Sequence, residues 1–120
     1  MTYDTQKAGR ALDALIAEKV MGQTIEWIGG DPFLTNLIYE GRGGSYSTNA
    51  PRYSTDIAAA WEVVEKLGDM SVHHFYDPTL EEWFYHVAWR SPDGIEHHCS
   101  AEANTAPYAI CLAALKAVRV

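Results

Sequence analysis

The stretch from Tyr53 to Leu67, Y-S-T-D-I-A-A-A-W-E-V-V-E-K-L, constrains the fold of this chain more than any other. It joins a start signal, a helical period and a large aromatic. Ser54 or Thr55 is placed to cap a helix, its hydroxyl accepting a backbone N–H that the first turn leaves unpaired. Asp56 then sets a negative charge at the positive end of the helix dipole. Ile57, Ala60, Trp61, Val64 and Leu67 recur at three- and four-residue steps and predict one buried apolar stripe. Glu62, Glu65 and Lys66 fall on the other side, and Gly68 ends the helix.

Two more helices flank it in sequence. Thr5 to Met21 carries a stripe of Ala8, Ala11, Leu12, Leu15, Ile16 and Val20, with Arg10, Asp13, Glu18 and Lys19 predicted outside and Gly22 as the stop. Ala106 to Val118 has Pro107 in its first turn and Thr105 or Ala106 as cap. Ile110, Ala113, Ala114 and Ala117 make one stripe there, and Leu112 and Leu115 widen it. Such a helix is wedged between neighbours.

The strands are shorter signals. Thr24 to Ile28 is strand-like and is broken by Gly29-Gly30-Asp31-Pro32; Leu37 to Glu40 is a second short candidate. Gly41 to Tyr53 is expected to be an irregular loop. Met70 to Tyr76, Glu82 to Arg90 and Ile95 to Ala101 follow the middle helix. Ser91-Pro92-Asp93-Gly94 is a hairpin signal, Pro92 suiting a type I turn and Gly94 the left-handed residue after it. That turn pairs Arg90 with Glu96, Ala88 with His98 and His86 with Ser100. One face then carries Trp83, Tyr85, Val87, Trp89, Ile95, His97, Cys99 and Ala101 towards the core.

At 120 residues the chain makes one domain, 1–120, and ordinary composition lets it bury about two thirds of its unfolded surface. No apolar run approaches the ~20 residues that cross a bilayer. The first residues lack the layout of a signal peptide, so a soluble, cytoplasmic protein is expected. Cys99 and Cys111 are expected to be reduced and buried. The net charge is −7. Between residues 56 and 102, Asp56, Glu62, Glu65, Asp69, Asp77, Glu81, Glu82, Asp93, Glu96 and Glu102 face only Lys66 and Arg90. That balance argues against direct nucleic-acid binding, which needs cations on phosphates. It suits docking on a basic protein surface.

Three segments together resemble one family. A-G-R-A-L-D-A-L-I-A-E-K-V-M-G at 8–22, the 53–67 stretch, and A-P-Y-A-I-C-L-A-A-L-K-A-V at 106–118 look like the phage ABA-sandwich domain. The resemblance implies a small phage or prophage protein, located in the cytoplasm of the bacterial host. It also implies an α+β fold: a three-layer α/β/α sandwich whose central, mostly antiparallel sheet has helices on both faces. It implies no activity. The stretch 23–52 departs from the usual pattern as an insertion between the first two helices, the kind of loop that carries function.

The chemistry-bearing residues are sparse. His73, His74, His86, His97 and His98 cluster in the strands, with His86 and His98 on one face, yet no spacing matches a zinc motif. No G-x-S-x-G elbow is present, and Cys111 lies in an apolar helix that disfavours a thiolate. Glu81 and Glu82 point apart and cannot work as an acid–base pair. No catalytic residue, no metal ligand set and no cofactor is therefore assigned. The binding candidates are in the 41–53 loop: Arg42 and Arg52 to grip a phosphate, Gly43 and Gly44 to let backbone N–H groups approach it, and Tyr46 or Tyr53 to stack on a base. The chain is expected to be a non-enzymatic binding protein, an inhibitor of a host anti-phage defence that docks on a host protein. Sequestration of a small phosphorylated or nucleotide ligand through 41–53 is the alternative, and a metal-dependent enzyme using His86 and His98 the second. A homodimer or higher homo-oligomer fits the broad last helix and the many aromatics.

Overall fold

Gly9 holds φ at 143°, outside any helix, so the first helix starts at Arg10 and not at Thr5. The computed structural model describes residues 7–37, 45–90 and 99–119. Helix α1 (Arg10–Leu15) runs directly into a π-helical turn (Ile16–Val20), where Met21 N donates to Ile16 O at 3.0 Å. Leu12, Ile16 and Val20 are buried as the stripe predicts. Arg10 and Asp13 do not face water as predicted. Arg10 Nη1 donates to Asp13 Oδ2 at 2.8 Å, and Arg10 Nη2 donates to Ala50 O at 2.8 Å. Ser54 donates its backbone N–H and its hydroxyl to Asp13 Oδ1 at 2.8 and 2.7 Å. Asp13 is fully buried, so its charge is tolerable only because each oxygen has a cationic or hydrogen-bonded partner. This knot ties the start of α1 to the chain just before the next helix.

Residues 23–52 hold a sheet of their own. Strands β1 (Ile25–Ile28), β2 (Asp31–Leu37) and β3 (Ser45–Asn49) form an antiparallel meander. The expected break at Gly29–Pro32 is smaller than predicted: Gly29 and Gly30 alone make the turn, both at positive φ, and Asp31 pairs with Ile28. The expected irregular loop Gly41–Tyr53 contains β3, whose serines and threonine pair with β2 despite their weak apolar signal. Ile25 and Leu34, paired across β1 and β2, pack against the core.

Helix α2 (Ile57–Leu67) sits where the sequence places it, with a different cap and a rotated face. Asp56 is the cap, its Oδ1 accepting from Ala58 N at 3.0 Å, because Ser54 is held by Asp13. Gly68 ends the helix at φ 68° with its N–H on Val64 O. Ala59, Ala60 and Val63 are buried, while Ile57 and Trp61 are each 51% exposed. The predicted buried tryptophan is therefore a correction: the helix turns its smallest apolar residues inward, where they allow close approach to the alanines of the last helix.

Strands β4 (Met70–Asp77), β5 (Glu82–Trp89) and β6 (Cys99–Ala103) form a second antiparallel sheet in that order. Ala88 pairs with Ser100 and His86 with Glu102, two residues away from the predicted pairs Ala88–His98 and His86–Ser100. A slip of two preserves the faces, so alternation could not detect it. Ser91–Gly94, Ile95, Glu96, His97 and His98 lie outside the described residues. The core face is otherwise as read: Val87, Cys99 and Ala101 are buried, joined by Ala103. Trp83 is the exception, at 57% exposed.

Helix α3 (Ala106–Arg119) packs on this face. Ile110, Cys111, Ala113, Ala114 and Leu115 have no exposed surface. Its other sides meet α2 and the π-helical turn, so it is wedged as the sequence suggests. Thr105 begins it, accepting from Ala109 N on its carbonyl and from Tyr108 N on its hydroxyl. Among the described residues the fold is α+β, with two antiparallel three-stranded sheets, three α-helices and the π-helical turn. Among the described residues no helix is long and apolar enough to cross a membrane.

Candidate docking surface

Strand β6 pairs with Tyr85 to Trp89 and no further, so Glu82–Phe84 and their β4 partners project as a two-stranded ribbon. Helix α3 covers the sheet near Val87 and Ala101. Beyond that cover the same face continues with Val72, His74 and Tyr76 on β4 and Tyr85 and Trp83 on β5. His74 stacks on Tyr85, ring centres 4.4 Å apart and planes 7° off parallel, and lies 4.6 Å from the Trp83 ring. Tyr76 and Trp83 meet at 5.4 Å. On the opposite face Phe75 and Phe84 pair at 6.0 Å. Cross-strand aromatic pairs hold such a ribbon together without a helix beneath it. Its turn is set by Asp77, whose Oδ1 accepts from Thr79 N at 2.9 Å, and by Glu81 in the left-handed region.

The result is an exposed aromatic surface rimmed with acid. Trp83, Tyr76 and Leu80 are all largely in water, and Asp77, Glu81 and Glu82 surround the ribbon tip. Trp27 and Trp61 are also more than half exposed. Of the four tryptophans Trp89 alone is half-buried, its Nε1 donating to Leu67 O at 3.2 Å. Large exposed aromatics with a polar rim are the composition of a protein interface.

Of the sequence-predicted binding residues, Arg52 and Tyr53 have described side chains. Tyr53 is fully buried, and its hydroxyl donates to Gln23 Oε1 at 3.2 Å. Burial first, then the Glu62 charge, raises its pKa above the usual tyrosine value. It is a core residue and offers no stacking face. Arg52 is exposed, one residue away along the chain. Tyr46 contributes backbone to β3 opposite Asn36, while Arg42, Gly43 and Gly44 lie outside the described residues. Of the histidines, His73 pairs with His86 across β4 and β5, and His86 Nδ1 lies 3.3 Å from Glu102 Oε1. No group of three potential ligands converges among the described residues. An open cleft of about 370 Å³ runs over the β6 edge beside His86, Glu102 and Leu112; there Lys116 Nζ donates to Ser100 O at 2.7 Å. Cys99 and Cys111 are free and buried, and burial pushes both thiols up, which suppresses the reactive thiolate.

These features define a small α+β protein. Residues 14–115 match the Phage ABA sandwich domain, and the chain belongs to that family. A solved phage protein from Bacillus cereus ATCC 14579 is similar over 97% of this chain and 91% of its own, at 34% identity and a TM-score of 0.60. No curated protein matches.

The sequence missed the ribbon as a surface because period two cannot tell where a covering helix stops. Trp83 has the parity of a core residue. The available signal was the β6 stretch itself: Ala103 ends it opposite Tyr85, so any aromatic nearer the β4–β5 turn has no third strand.

Proposed function

We propose that this phage-family protein is a non-enzymatic docking protein, encoded by a phage or prophage, that binds a host protein through the β4–β5 ribbon and so blunts a host defence. The single observation that supports the reading is the cluster of exposed His74, Tyr76 and Trp83 on half-buried Tyr85, with its acidic rim. Tryptophan and tyrosine at the centre of a contact supply most of its binding energy, and the acids steer a basic partner onto it. Sequestration of a phosphorylated ligand by 41–53 draws less support, since Tyr53 is in the core and offers no stacking face.

The test is capture from host extract by tagged wild-type protein and by a Trp83→Ala, Tyr76→Ala variant, at low and high salt. The reading expects a partner held by the wild type, released by salt and not captured by the variant. Identical capture by both proteins rejects it.

A further inference from the structure

The edge of β4 is unpaired among the described residues, and it lacks the usual guards. Met70–Asp77 reads M-S-V-H-H-F-Y-D, eight residues with no lysine, no proline and no bulge against β5. Its hydrogen-bond phase follows from one contact. Arg90 N donates to Asp69 O at 3.1 Å, which makes Asp69 and Arg90 a hydrogen-bonded pair. Antiparallel pairs alternate, so Ser71, His73, Phe75 and Asp77 bond inward to β5. Met70, Val72, His74 and Tyr76 then turn their N–H and C=O groups to the open edge. The opposite edge agrees with this phase. Trp89, Val87 and Tyr85 bond to β6, which leaves Ser100 O pointing out, and Lys116 covers that group at 2.7 Å. At β4 no described side chain does the same.

We infer that this edge accepts a strand from the partner, an extended segment that alternates apolar and basic residues. The inference rests on the docking reading and specifies its mode. One face of the added strand would continue the row of Val72, His74 and Tyr76 and needs apolar side chains. The other face would continue Ser71, His73, Phe75 and Asp77, beside Glu82, and calls for lysine or arginine. A second copy of the chain is the poorer occupant. Antiparallel self-pairing through these outward groups, centred on His73, sets Met70 opposite Tyr76 and Asp69 of each copy opposite Asp77 of the other. Like charges opposite one another oppose such a pair.

The experiment uses a dye-labelled, capped peptide of alternating lysine and valine long enough to span β4, titrated by fluorescence anisotropy. The same peptide with glutamate for lysine is the control. Wild-type protein should bind the lysine peptide and not the glutamate one. Val72→Pro removes an outward N–H without touching the bonds to β5, and should weaken binding at least about tenfold. Amide exchange on the wild-type protein gives a readout free of any folding defect: the peptide should slow Val72 and His74, while Ser71, His73 and Phe75 are slow throughout. Unchanged affinity in a folded Val72→Pro, or no added protection at Val72 and His74, overturns the inference. So does a wild-type dimer that Val72→Pro dissociates. If Val72→Pro retains a host partner that Trp83→Ala, Tyr76→Ala loses, docking stands and strand addition falls. If neither variant changes capture, the docking reading itself falls.

Discussion

Tyr53 and Tyr76 are the same residue type used in opposite ways. In the helical half Tyr53 has no exposed surface and spends its hydroxyl on Gln23; in the ribbon Tyr76 is 46% exposed and meets the Trp83 ring. Charges divide similarly. Asp13 is buried with Arg10 and Ser54, whereas Asp77, Glu81 and Glu82 stand around the ribbon tip. The comparison teaches that buried and exposed aromatics are segregated in this molecule, and under the docking function proposed above this separates stability from recognition. The helices around α3 carry the core, and the ribbon presents aromatics that the core does not need. The molecule is accordingly long, 57 × 35 × 27 Å.

The separation can be broken most severely at the polar knot. Asp13→Ala leaves the Arg10 charge without its carboxylate and the Ser54 N–H without its acceptor, and losing one partner of a buried pair costs about 3–5 kcal/mol. Urea unfolding should show that loss. A cost below about 1 kcal/mol would mean that water enters the knot and that it does not join the two helices.

High pH attacks the helical half next. Tyr53, Cys99 and Cys111 all have pKa values raised by burial, from ordinary values of 10.0 for tyrosine and 9.0 for cysteine. A raised folded pKa contributes stability that is full below the unfolded value and is lost as pH rises through the folded one. Stability should therefore hold steady on the acid side of pH 9 and fall above it. Denaturant midpoints measured across that range, with Cys111→Ala as the comparison, check the sign. A rise in stability above pH 9 would contradict it.

Asp56→Ala removes the α2 cap and should cost about 1 kcal/mol in the same unfolding experiment. Ser54→Ala should cost more than Asp56→Ala, since Ser54 serves the knot and not the cap. The reverse order would restore the cap assignment that the sequence suggested.

The smallest stability effect belongs to the ribbon. Trp83→Ala removes an exposed ring and should change unfolding free energy by no more than about 1 kcal/mol, the scale of a cross-strand aromatic pair. A cost of several kcal/mol would place Trp83 in the core and blur the comparison.

These contrasts also explain what the sequence could convey. The helix at 106–119 was legible because Ile110, Ala113, Ala114 and Leu115 are apolar on every side that packs. The placement of 57–67 was legible, but not its rotation. Alanine counts weakly in any apolar pattern, yet Ala59 and Ala60 face inward while Trp61 does not. Arg10 and Asp13 looked solvated, because a buried ion pair three residues apart has the spacing of a surface one. β3 was hidden, since Ser45–Asn49 owes its pairing to β2 and not to apolar content. The stacking role of Tyr53 was misread for a related reason: it came from its neighbours in sequence and was lost to its neighbours in space. The acidic rim, by contrast, could be counted directly.

The most direct test of the separation is a paired measurement on the Trp83→Ala, Tyr76→Ala variant: its urea unfolding curve and its capture of the host partner beside wild type. The account predicts a curve within about 1–2 kcal/mol of wild type, two exposed aromatics at the upper end of their pair energies, together with loss of the salt-sensitive partner. A folded variant that still holds the partner would contradict the account, as would a variant too unstable to fold.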